Sequence, residues 1–521
     1  MTEGPDEAAS AALLTRQRET WLLAATFVVA VAGLIYELVA ATLSSYLLGD
    51  SVRQFSLVIG IYLASMGLGA WLSRFVGQAL PGFIWAQIAL GVIGGFMAPL
   101  LYFTYAATGD VELPLFAALI AVGALSGMEI PLIARILKQI GAPEFRFENV
   151  LTVDYAGALA ASLLFPTLIL PHLGLMSASL AFGMMNLLVA GMSLWIFRDL
   201  APRLAVLVWG LAVLATGLAL WQAERMVSVA EAALYDDDII LAEQTPFQRI
   251  VVTRFRERVR LFLDGSIQFD SIDEYRYHEM LVHPAMALAG RAERVLILGG
   301  GDGMALREVL RHSQVQAVTL VDLDPAMTTL FREDPDLAAL NAGALSDPRV
   351  TIVNRDAWKF VEEDQGLFDV ILADLPDPKS IALSKLYTRE FYAMAMERLS
   401  PRGAMAVQAG SPLFARDAYW SVIRTLRETR NPSAPEAGLH LQPYHAYLPS
   451  FGDWGFALVT QQPHTNNLTD LPPGLRYLTP EIWAEAQVFA PDAADSRPRP
   501  NSLRDHALVG YYNDGWDRWF R

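Results

Sequence analysis

The chain contains no cysteine among its 521 residues. A disulfide framework and a thiolate metal site are therefore both excluded. Basic residues are also scarce, with 39 lysines and arginines against 55 acidic residues, for a formal net charge of -16. This acidity argues against a nucleic-acid partner and suits a cationic small molecule. The histidines show no metal-ligand spacing, so we predict no bound metal.

Charged residues make up only 18% of the chain, whereas 53% of it is hydrophobic, more than is usual for a soluble protein. After a short N-terminal tail at 1–20, we predict a multi-pass transmembrane region at 21–222 with about seven spans. The first is too long for a signal-peptide core, so we expect it to be retained. The apolar windows are Trp21–Leu43, Phe55–Leu72, Pro81–Tyr105, Pro114–Ile133, Val153–Leu170, Leu175–Phe197 and Leu204–Trp221.

Beyond Trp221 the pattern changes to short strands, charged helices and proline-rich loops, as in a soluble domain. We predict a linker, a small antiparallel β-unit and a helix at 223–290, and a Rossmann-like α/β domain at 291–461. A proline-rich tail follows at 462–521. The fold class is thus an α-helical transmembrane bundle joined to a methyltransferase-type α/β domain.

A glycine-rich turn is the most informative motif of the soluble half. Gly299 to Gly303 reads Gly-Gly-Gly-Asp-Gly and follows the apolar strand Val295–Leu298. Asp322 ends the next strand, as in the nucleoside half of a Rossmann-like site. Gly299 and Gly301 let backbone approach a ligand, and Asp322 can hold ribose hydroxyls.

Three further acids distinguish this turn from most nucleotide sites. Asp302 lies inside the turn, and Asp374 and Asp377 follow a third apolar strand. They indicate a ligand that is positively charged beside its adenosine. The structural alternatives are that Asp302 caps the following helix and that the prolines around Asp377 mark an ordinary turn.

An ordered set of motifs resembles the spermidine synthases, or polyamine aminopropyltransferases, in a membrane-attached bacterial form. The resemblance covers nearly all of the soluble half and implies transfer of the aminopropyl group of decarboxylated S-adenosylmethionine to putrescine, giving spermidine and methylthioadenosine. Decarboxylated S-adenosylmethionine is a co-substrate, and no cofactor is implied. The motifs are Thr-Pro-Phe-Gln-Arg-Ile at 245–250, Leu-Asp-Gly-Ser-Ile-Gln at 263–268, Asp-Glu-Tyr-Arg-Tyr-His-Glu-Met at 273–280, the glycine turn with Arg-Glu-Val-Leu at 307–310, and Asp-Leu-Pro-Asp-Pro at 374–378.

Site residues follow from the resemblance, position by position. It implies nucleoside contacts from Gln248, Gly299, Gly301, Asp322, Asp356 and Ala357. On the polyamine side it implies His278 and Asp302, with Gln268 and Tyr277 as pocket walls. In family enzymes an amine attacks the carbon beside a sulfonium. Alkyl amines are mostly protonated at neutral pH, so a carboxylate must hold the amine and accept or relay its proton. We assign Asp374 as general base and Asp377 as the group that orients the amine.

Charge independently favours the decarboxylated nucleoside. Intact S-adenosylmethionine would bring its carboxylate close to Asp302. At about 4 Å and an effective dielectric near 20, the repulsion is about 4 kcal/mol, or nearly a thousandfold in affinity. Decarboxylation removes that repulsion and leaves an ammonium for the acids to bind.

Several residues depart from the family pattern and leave the acceptor amine open. The segment Gln408-Ala409-Gly410-Ser411 lacks the glutamate that commonly follows this strand end in the family, Phe451 replaces a tyrosine-type hydroxyl, and Asp322 is shorter than the usual glutamate. Putrescine is the default acceptor, with cadaverine or a longer polyamine as alternatives. Because soluble relatives are dimers or larger, a homodimer is also expected.

Two other functions are weighed against aminopropyl transfer. One is a methyltransferase that uses intact S-adenosylmethionine, which Asp302 and the acids after the third strand disfavour. The other is a membrane polyamine sensor or transporter, suggested by Glu37, Glu129 and Asp154 in apolar windows, where an unpaired charge costs about 2.5–3.5 kcal/mol. These carboxylates could instead pair with Arg53, Arg74 or Arg135 to fix the bundle.

The membrane orientation rests on two arguments that conflict. Loop arginines and lysines place the N-terminus inside, so seven spans would put the soluble half outside. The substrates favour a cytoplasmic catalytic domain. We predict a multi-pass protein of the inner (cell) membrane with a cytoplasmic catalytic domain.

Overall fold

The computed structural model describes residues 5–48, 51–141, 146–199, 203–232, 235, 237–363, 366–464, 468 and 470–520. The chain forms two compact units, residues 1–236 and 237–521. The predicted linker at 223–236 therefore belongs to the first unit. The predicted β-unit, Rossmann-like domain and C-terminal tail all belong to the second. Residues 1–4 of the predicted N-terminal tail lie outside the described residues.

The first unit is helical throughout its described parts. Its long apolar helices expose many large hydrophobic side chains, as expected of surfaces that face lipid. The helices are α1 (Pro5–Leu48), α2 (Ser51–Leu72), α3 (Ala79–Gly95), α4 (Met97–Thr108), α5 (Glu112–Gln139), α6 (Phe147–Leu164), α7 (Leu170–Ile196), α8 (Arg203–Trp221) and α9 (Ala223–Ala232). Helix α1 begins 16 residues before the predicted first span, so described residues of the predicted tail are helical.

Six helical stretches in the described residues are long and apolar enough to cross a membrane, whereas the sequence predicted about seven. The difference arises at 147–196, where two predicted spans fall within one stretch. A π-helical segment, Phe165–Ile169, joins α6 to α7. Gly174 then breaks the helical geometry at φ 66°, ψ 176°. Short local irregularities thus replace the loop expected between the two windows.

The contacts of Glu129 and Arg135 bear on how the membrane-unit carboxylates are neutralised. Gln87 Nε2 donates to Glu129 Oε1 at 2.6 Å. Arg135 donates instead to the carbonyls of Ser73 and Val76, at 3.1 and 2.8 Å. In the described contacts, Glu129 is thus bound by an amide, and Arg135 is bound to carbonyl groups near the end of a short helical turn.

The second unit begins with the predicted antiparallel β-unit. Its strands pair in chain order as β1 (Asp238–Gln244), β2 (Arg249–Phe255), β3 (Arg258–Leu263) and β4 (Ser266–Asp270). A turn at Asp264-Gly265 joins the last two strands, and both turn residues have positive φ. Helix α10 (Glu274–Leu288) then leads into the large sheet.

A seven-stranded sheet forms the centre of the second unit. Its parallel strands are β5 (Arg294–Gly299), β6 (Ala317–Asp322), β7 (Val350–Asn354), β8 (Phe368–Asp374) and β9 (Leu399–Gly410). The strands β10 (His440–Leu448) and β11 (Gly452–Thr460) form an antiparallel hairpin at one side. The order β10-β11-β9-β8-β5-β6-β7 is that of a Rossmann-like methyltransferase fold, confirming the predicted class.

Helices cover both faces of this sheet. Those in the predicted region are α11 (Met304–Leu310), α12 (Pro325–Glu333), α13 (Pro335–Leu340), α14 (Ala357–Glu362), α15 (Ile381–Ser384), α16 (Arg389–Arg398) and α17 (Arg416–Arg427). The predicted tail is not merely an extension, since it forms α18 (Pro480–Glu485) and α19 (Ala507–Phe520). Trp483 and Leu508 of these helices are buried in the unit's hydrophobic clusters.

Strand pairing brings the site motifs to one edge. In the parallel pair β5–β8, Gly299 is the register partner of Asp374. Asp322 ends β6, the neighbour of β5 on its other side. The glycine turn therefore lies between the nucleoside acid and the predicted base, at the carboxyl edge where open α/β sheets bind ligands.

Candidate active site

Two positions of the turn after β5 require glycine, because neighbouring groups leave no room for a side chain. A Cβ added to Gly299 would lie 1.9 Å from the carbonyl oxygen of Asp374, and its φ of 86° also favours glycine. A Cβ at Gly301 would lie 2.6 Å from Asp322 Oδ2. Both positions admit no side chain without displacing an acid of the site.

Asp322 is fixed by backbone donors at the end of β6. Gly301 N donates to its Oδ2 at 3.0 Å, and Asp324 N donates to its Oδ1 at 2.9 Å. Burial raises the pKa of Asp322 to about 6, although these two hydrogen bonds oppose the shift. The carboxylate is thus held in one orientation beside the glycine turn.

Gln248 lies near this acid through a neighbouring aspartate. Its Nε2 donates to Asp324 Oδ2 at 3.1 Å, and Thr245 Oγ1 donates to the same oxygen at 2.8 Å. The small β-unit, which carries Gln248, is thereby connected to the nucleoside end of the large sheet. Sequence reasoning did not single out Asp324, which also caps helix α12.

The Asp356 carboxylate accepts two hydrogen bonds within the protein that the sequence did not predict. Its Oδ1 accepts from Trp358 N at 2.8 Å, which caps α14, and its Oδ2 accepts from Lys385 Nζ at 2.6 Å. Burial alone would raise its pKa, but Lys385 and the cap hold it below the usual value. Ala357 begins the helix and is buried. Lys385 was not predicted as a site residue.

The predicted base, Asp374, is half-buried at the end of β8. Tyr277 Oη donates to its Oδ1 at 2.6 Å. Burial raises the pKa of Asp374, whereas His278 and the Tyr277 hydrogen bond lower it. Tyr277, predicted as a pocket wall, is therefore a direct hydrogen-bond partner of the predicted base.

His278 and Asp302 lie beside that pair. His278 Nδ1 contacts Glu274 Oε2 at 2.8 Å, and Arg307 forms a two-point ion pair with Glu274 at 3.1 and 2.9 Å. Burial would lower the pKa of His278, but Glu274 raises it above its usual value. Glu274, held by Arg307, thus orients the imidazole of His278 beside the acids.

Asp302 performs the capping role considered as its structural alternative and also faces the site charges. Its Oδ1 accepts from Met304 N at 2.9 Å. Burial raises its pKa to about 6, His278 lowers it and Asp374 raises it. Because those two side chains influence its charge, Asp302 lies within the same electrostatic environment as the predicted base.

Asp377 has a donor on each oxygen. Tyr512 Oη donates to Oδ2 at 2.7 Å, and Gln408 Nε2 donates to Oδ1 at 3.4 Å. Gln408 Nε2 also contacts the hydroxyl of Tyr387, at 2.5 Å. Burial raises the pKa of Asp377, and the donors on its oxygens lower it.

Gln268 lies on β4, where its Nε2 donates to the carbonyl of Ser266 at 3.2 Å. Lys379, two residues after Asp377, also reaches this strand: its Nζ donates to Ser266 Oγ at 3.0 Å. Burial lowers the pKa of Lys379 although Asp264 and Asp377 raise it. A lysine was not predicted here, and it adds a positive charge near Asp377.

In the structure, Asp374 is therefore hydrogen-bonded to Tyr277, and Asp322 is hydrogen-bonded to the backbone of the glycine turn. It connects Gln248 to Asp324 rather than directly to Asp322. Sequence reasoning missed six partners of these residues: Glu274, Asp324, Lys379, Lys385, Tyr387 and Tyr512. Glu274 and Arg307 are oppositely charged residues of the motifs at 273–280 and 307–310, so the sequence offered a sign of their pairing. Tyr512 lies far from any motif.

Comparison with known proteins identifies the family. Residues 274–470 match the family model described as the spermine/spermidine synthase domain. The spermidine synthase structure from Thermotoga maritima is 25% identical, with a TM-score of 0.43, covering 49% of this chain and 85% of that chain.

Two curated relatives match almost end to end. The polyamine aminopropyltransferase of Leptospira interrogans is 42% identical over 507 residues, covering 96% of this chain and 99% of the relative. Polyamine aminopropyltransferase 2 of Ralstonia nicotianae is 43% identical over 514 residues, covering 95% of this chain and 98% of the relative. At such identity over nearly the whole length, the chain belongs to the polyamine aminopropyltransferase family, which includes the spermidine synthases.

Proposed function

We propose that the chain transfers the aminopropyl group of decarboxylated S-adenosylmethionine to a diamine, with putrescine as the default acceptor, giving spermidine and methylthioadenosine. The roles proposed for its residues rest on one observation. Asp374 lies at the carboxyl edge of the sheet beside the glycine turn, with Tyr277 donating to Oδ1 at 2.6 Å. This leaves a half-buried, oriented carboxylate where an amine would meet the nucleoside.

The reaction balances without a cofactor. The lone pair of a neutral amine attacks the methylene carbon next to the sulfonium, the carbon–sulfur bond breaks, and its electron pair remains on sulfur in methylthioadenosine. The alkylated amine loses one proton, which Asp374 accepts and passes to solvent. Asp377 holds the amine in line for attack.

The charges of the pocket support a cationic nucleoside and a cationic acceptor. Asp302 is buried and Asp374 and Asp377 are half-buried, and desolvation raises the pKa of each. A bound ammonium would favour their charged forms, so substrate binding and carboxylate ionisation stabilise each other. Intact S-adenosylmethionine, with its extra carboxylate, does not provide this compensation near Asp302.

The decisive experiment combines product analysis with a matched variant. Purified full-length protein is given decarboxylated S-adenosylmethionine and a panel of diamines, and methylthioadenosine and alkylated amines are detected by mass spectrometry. Asp374→Asn should lose about 10²–10⁴-fold in turnover while still binding methylthioadenosine. Surface Asp336→Asn is the control. Turnover by Asp374→Asn at the wild-type rate would exclude Asp374 as base.

The same panel tests the acceptor. The strand end that contains Gln408 lacks the usual glutamate and Lys379 lies near Asp377, so the acceptor region is less negative than a glutamate-containing pocket. We expect putrescine to be the best acceptor, and a higher kcat/KM with cadaverine or a longer polyamine would replace that assignment. Methylated product from intact S-adenosylmethionine would instead support a methyltransferase.

We also propose that the six long apolar stretches anchor the protein in the inner (cell) membrane with the catalytic unit in the cytoplasm. The substrates favour this orientation; loop basic residues place the N-terminus inside, and an even number of crossings would return the chain to that side. The absence of native cysteine makes a labelling test free of background. Glu257→Cys, on the exposed turn after β2, should react with an impermeant maleimide only after cell lysis.

Labelling of Glu257→Cys in intact cells would place the catalytic unit outside. Cross-linking within membranes before extraction tests the expected homodimer.

A further inference from the structure

The C-terminal helix reaches the proposed acceptor region. Tyr512 of α19 donates its hydroxyl to Asp377 Oδ2 at 2.7 Å. These residues are 135 positions apart. Tyr512 also lies beyond residue 470, where the match to the spermine/spermidine synthase domain ends. A side chain outside that domain thus contacts the acid assigned to the amine.

Close packing fixes the position of this helix. A Cβ on Gly515 would lie 2.7 Å from Ala415 Cα and 3.0 Å from the carbonyl oxygen of Phe414. Trp516, one residue later, packs its ring 5.3 Å from that of Phe414. Helix α19 therefore rests on the loop after β9, the strand that carries Gln408, and cannot shift without losing this contact.

The same helix packs beside the segment that departs from the family pattern. Trp516 lies 6.5 Å from Trp454, whose ring is 5.3 Å from Phe451. Phe451 stands where a hydroxyl-bearing residue was expected. Tyr512 provides a hydroxyl from another part of the chain, and its ring lies 6.0 Å from that of Trp516.

We propose that Tyr512 is a positioning residue of the acceptor site and that α19 is a required part of that site. Its hydroxyl orients the Asp377 carboxylate, which in turn holds the attacking amine. This inference rests on the proposed aminopropyl transfer and names a residue that determines how the acceptor binds.

Tyr512 matters because it is one of two side chains that hold the part-buried carboxylate of Asp377. Asp377 has only two donors among the described residues, and the contact from Gln408 is the longer one, 3.4 Å against 2.7 Å. Without the Tyr512 hydroxyl, Asp377 Oδ2 loses its hydrogen-bond donor in a partly desolvated position. The carboxylate then rotates more freely and is more easily protonated.

The test compares Tyr512→Phe with Tyr511→Phe, its neighbour on the same helix, whose hydroxyl accepts from Arg499 N at 3.3 Å. For Tyr512→Phe we expect the acceptor KM to rise about tenfold or more. The KM for decarboxylated S-adenosylmethionine should stay at the wild-type value. The acidic limb of kcat/KM for the acceptor should move to higher pH. Tyr511→Phe should change none of these.

Gly515→Val gives a second variant that keeps the hydroxyl but displaces the helix. It should raise the acceptor KM as Tyr512→Phe does. An unchanged acceptor KM and pH profile in Tyr512→Phe would overturn the proposal. Wild-type turnover and methylthioadenosine binding are measured in parallel, so an inactive wild-type protein would mark failure of the proposed function itself.

Discussion

The hydroxyl of Tyr277 donates to Asp374 Oδ1 at 2.6 Å, so one oxygen of the proposed base is held by a side chain from a different element. Tyr277 lies on α10 and Asp374 ends β8. The second carboxylate oxygen accepts no hydrogen bond from the described residues, which leaves it for the proton of an incoming amine. Helix α10 thereby fixes the orientation of the base.

Tyr277→Phe tests this relationship. Without the hydroxyl, the pKa of Asp374 should rise further, because the hydrogen bond now opposes the effect of burial. We expect kcat to fall about 10- to 100-fold, the size of a hydrogen bond to a charged group. Tyr275→Phe on the same helix, whose ring stacks with Arg476, is the control. Equal losses in both variants would indicate damage to α10 rather than to the base.

Asp302→Asn should change both pH dependence and nucleoside selectivity. Burial raises the pKa of Asp302 to about 6, so its negative charge is present above that pH and lost as pH falls through it. Wild-type affinity for decarboxylated S-adenosylmethionine should therefore weaken below about pH 6. The variant should show a flatter profile in that range.

Selectivity is read from equilibrium binding of the two nucleosides by the same Asp302→Asn protein. Preference for the decarboxylated form should drop by about 10²–10³-fold, in line with the repulsion that Asp302 exerts on a carboxylate. An unchanged preference would leave Asp302 only its capping role at Met304.

The Asp356–Lys385 ion pair provides a test of nucleoside recognition. If Asp356 contacts the adenine amino group, as the resemblance implies, Asp356→Asn should weaken methylthioadenosine binding about tenfold or more. Lys385→Met should strengthen binding several-fold, because the ammonium at 2.6 Å no longer competes for Oδ2. Isothermal titration measures both constants. Equal weakening in both variants would show that the pair acts as one unit.

Acid should destabilise the catalytic unit through a buried cluster between α10 and α11. Burial would raise the pKa of Glu308, but His283 and two arginines lower it to about 2. Burial and the charge of His283 lower the pKa of His312 to about 4. Each shift represents on the order of 3 kcal/mol between the folded and unfolded states.

The sign is the same for both groups, because the unfolded chain binds the extra protons. The His312 contribution is complete above its ordinary pKa of 6.5 and is lost as pH falls towards about 4. The Glu308 contribution is complete above 4.5 and is lost as pH falls towards about 2. Thermal unfolding of full-length protein in nanodiscs should show this decline. Glu308→Gln should flatten its lower part, whereas the more exposed Glu293→Gln should not.

Local patterns predicted most of the strands of the catalytic unit. The β-unit at 238–270 falls inside the predicted 223–290, β5 extends the predicted run Val295–Leu298 by one residue at each end, and Asp322 ends β6 as predicted. Alternating or continuous apolar runs determine them, and the glycine turn marks their ligand edge. The hairpin of β10 and β11 was not predicted, because its polar and aromatic residues give no clear period.

The sequence by itself determined the apolar stretches, the Rossmann-like order of elements and the presence of acids at one edge, since these depend on composition, periodicity and short spacing. Only the tertiary structure decided which side chains orient those acids. Tyr277 reaches Asp374 across 97 positions and Tyr512 reaches Asp377 across 135. Such contacts depend on how separate helices pack around the sheet, and no local pattern encodes that packing.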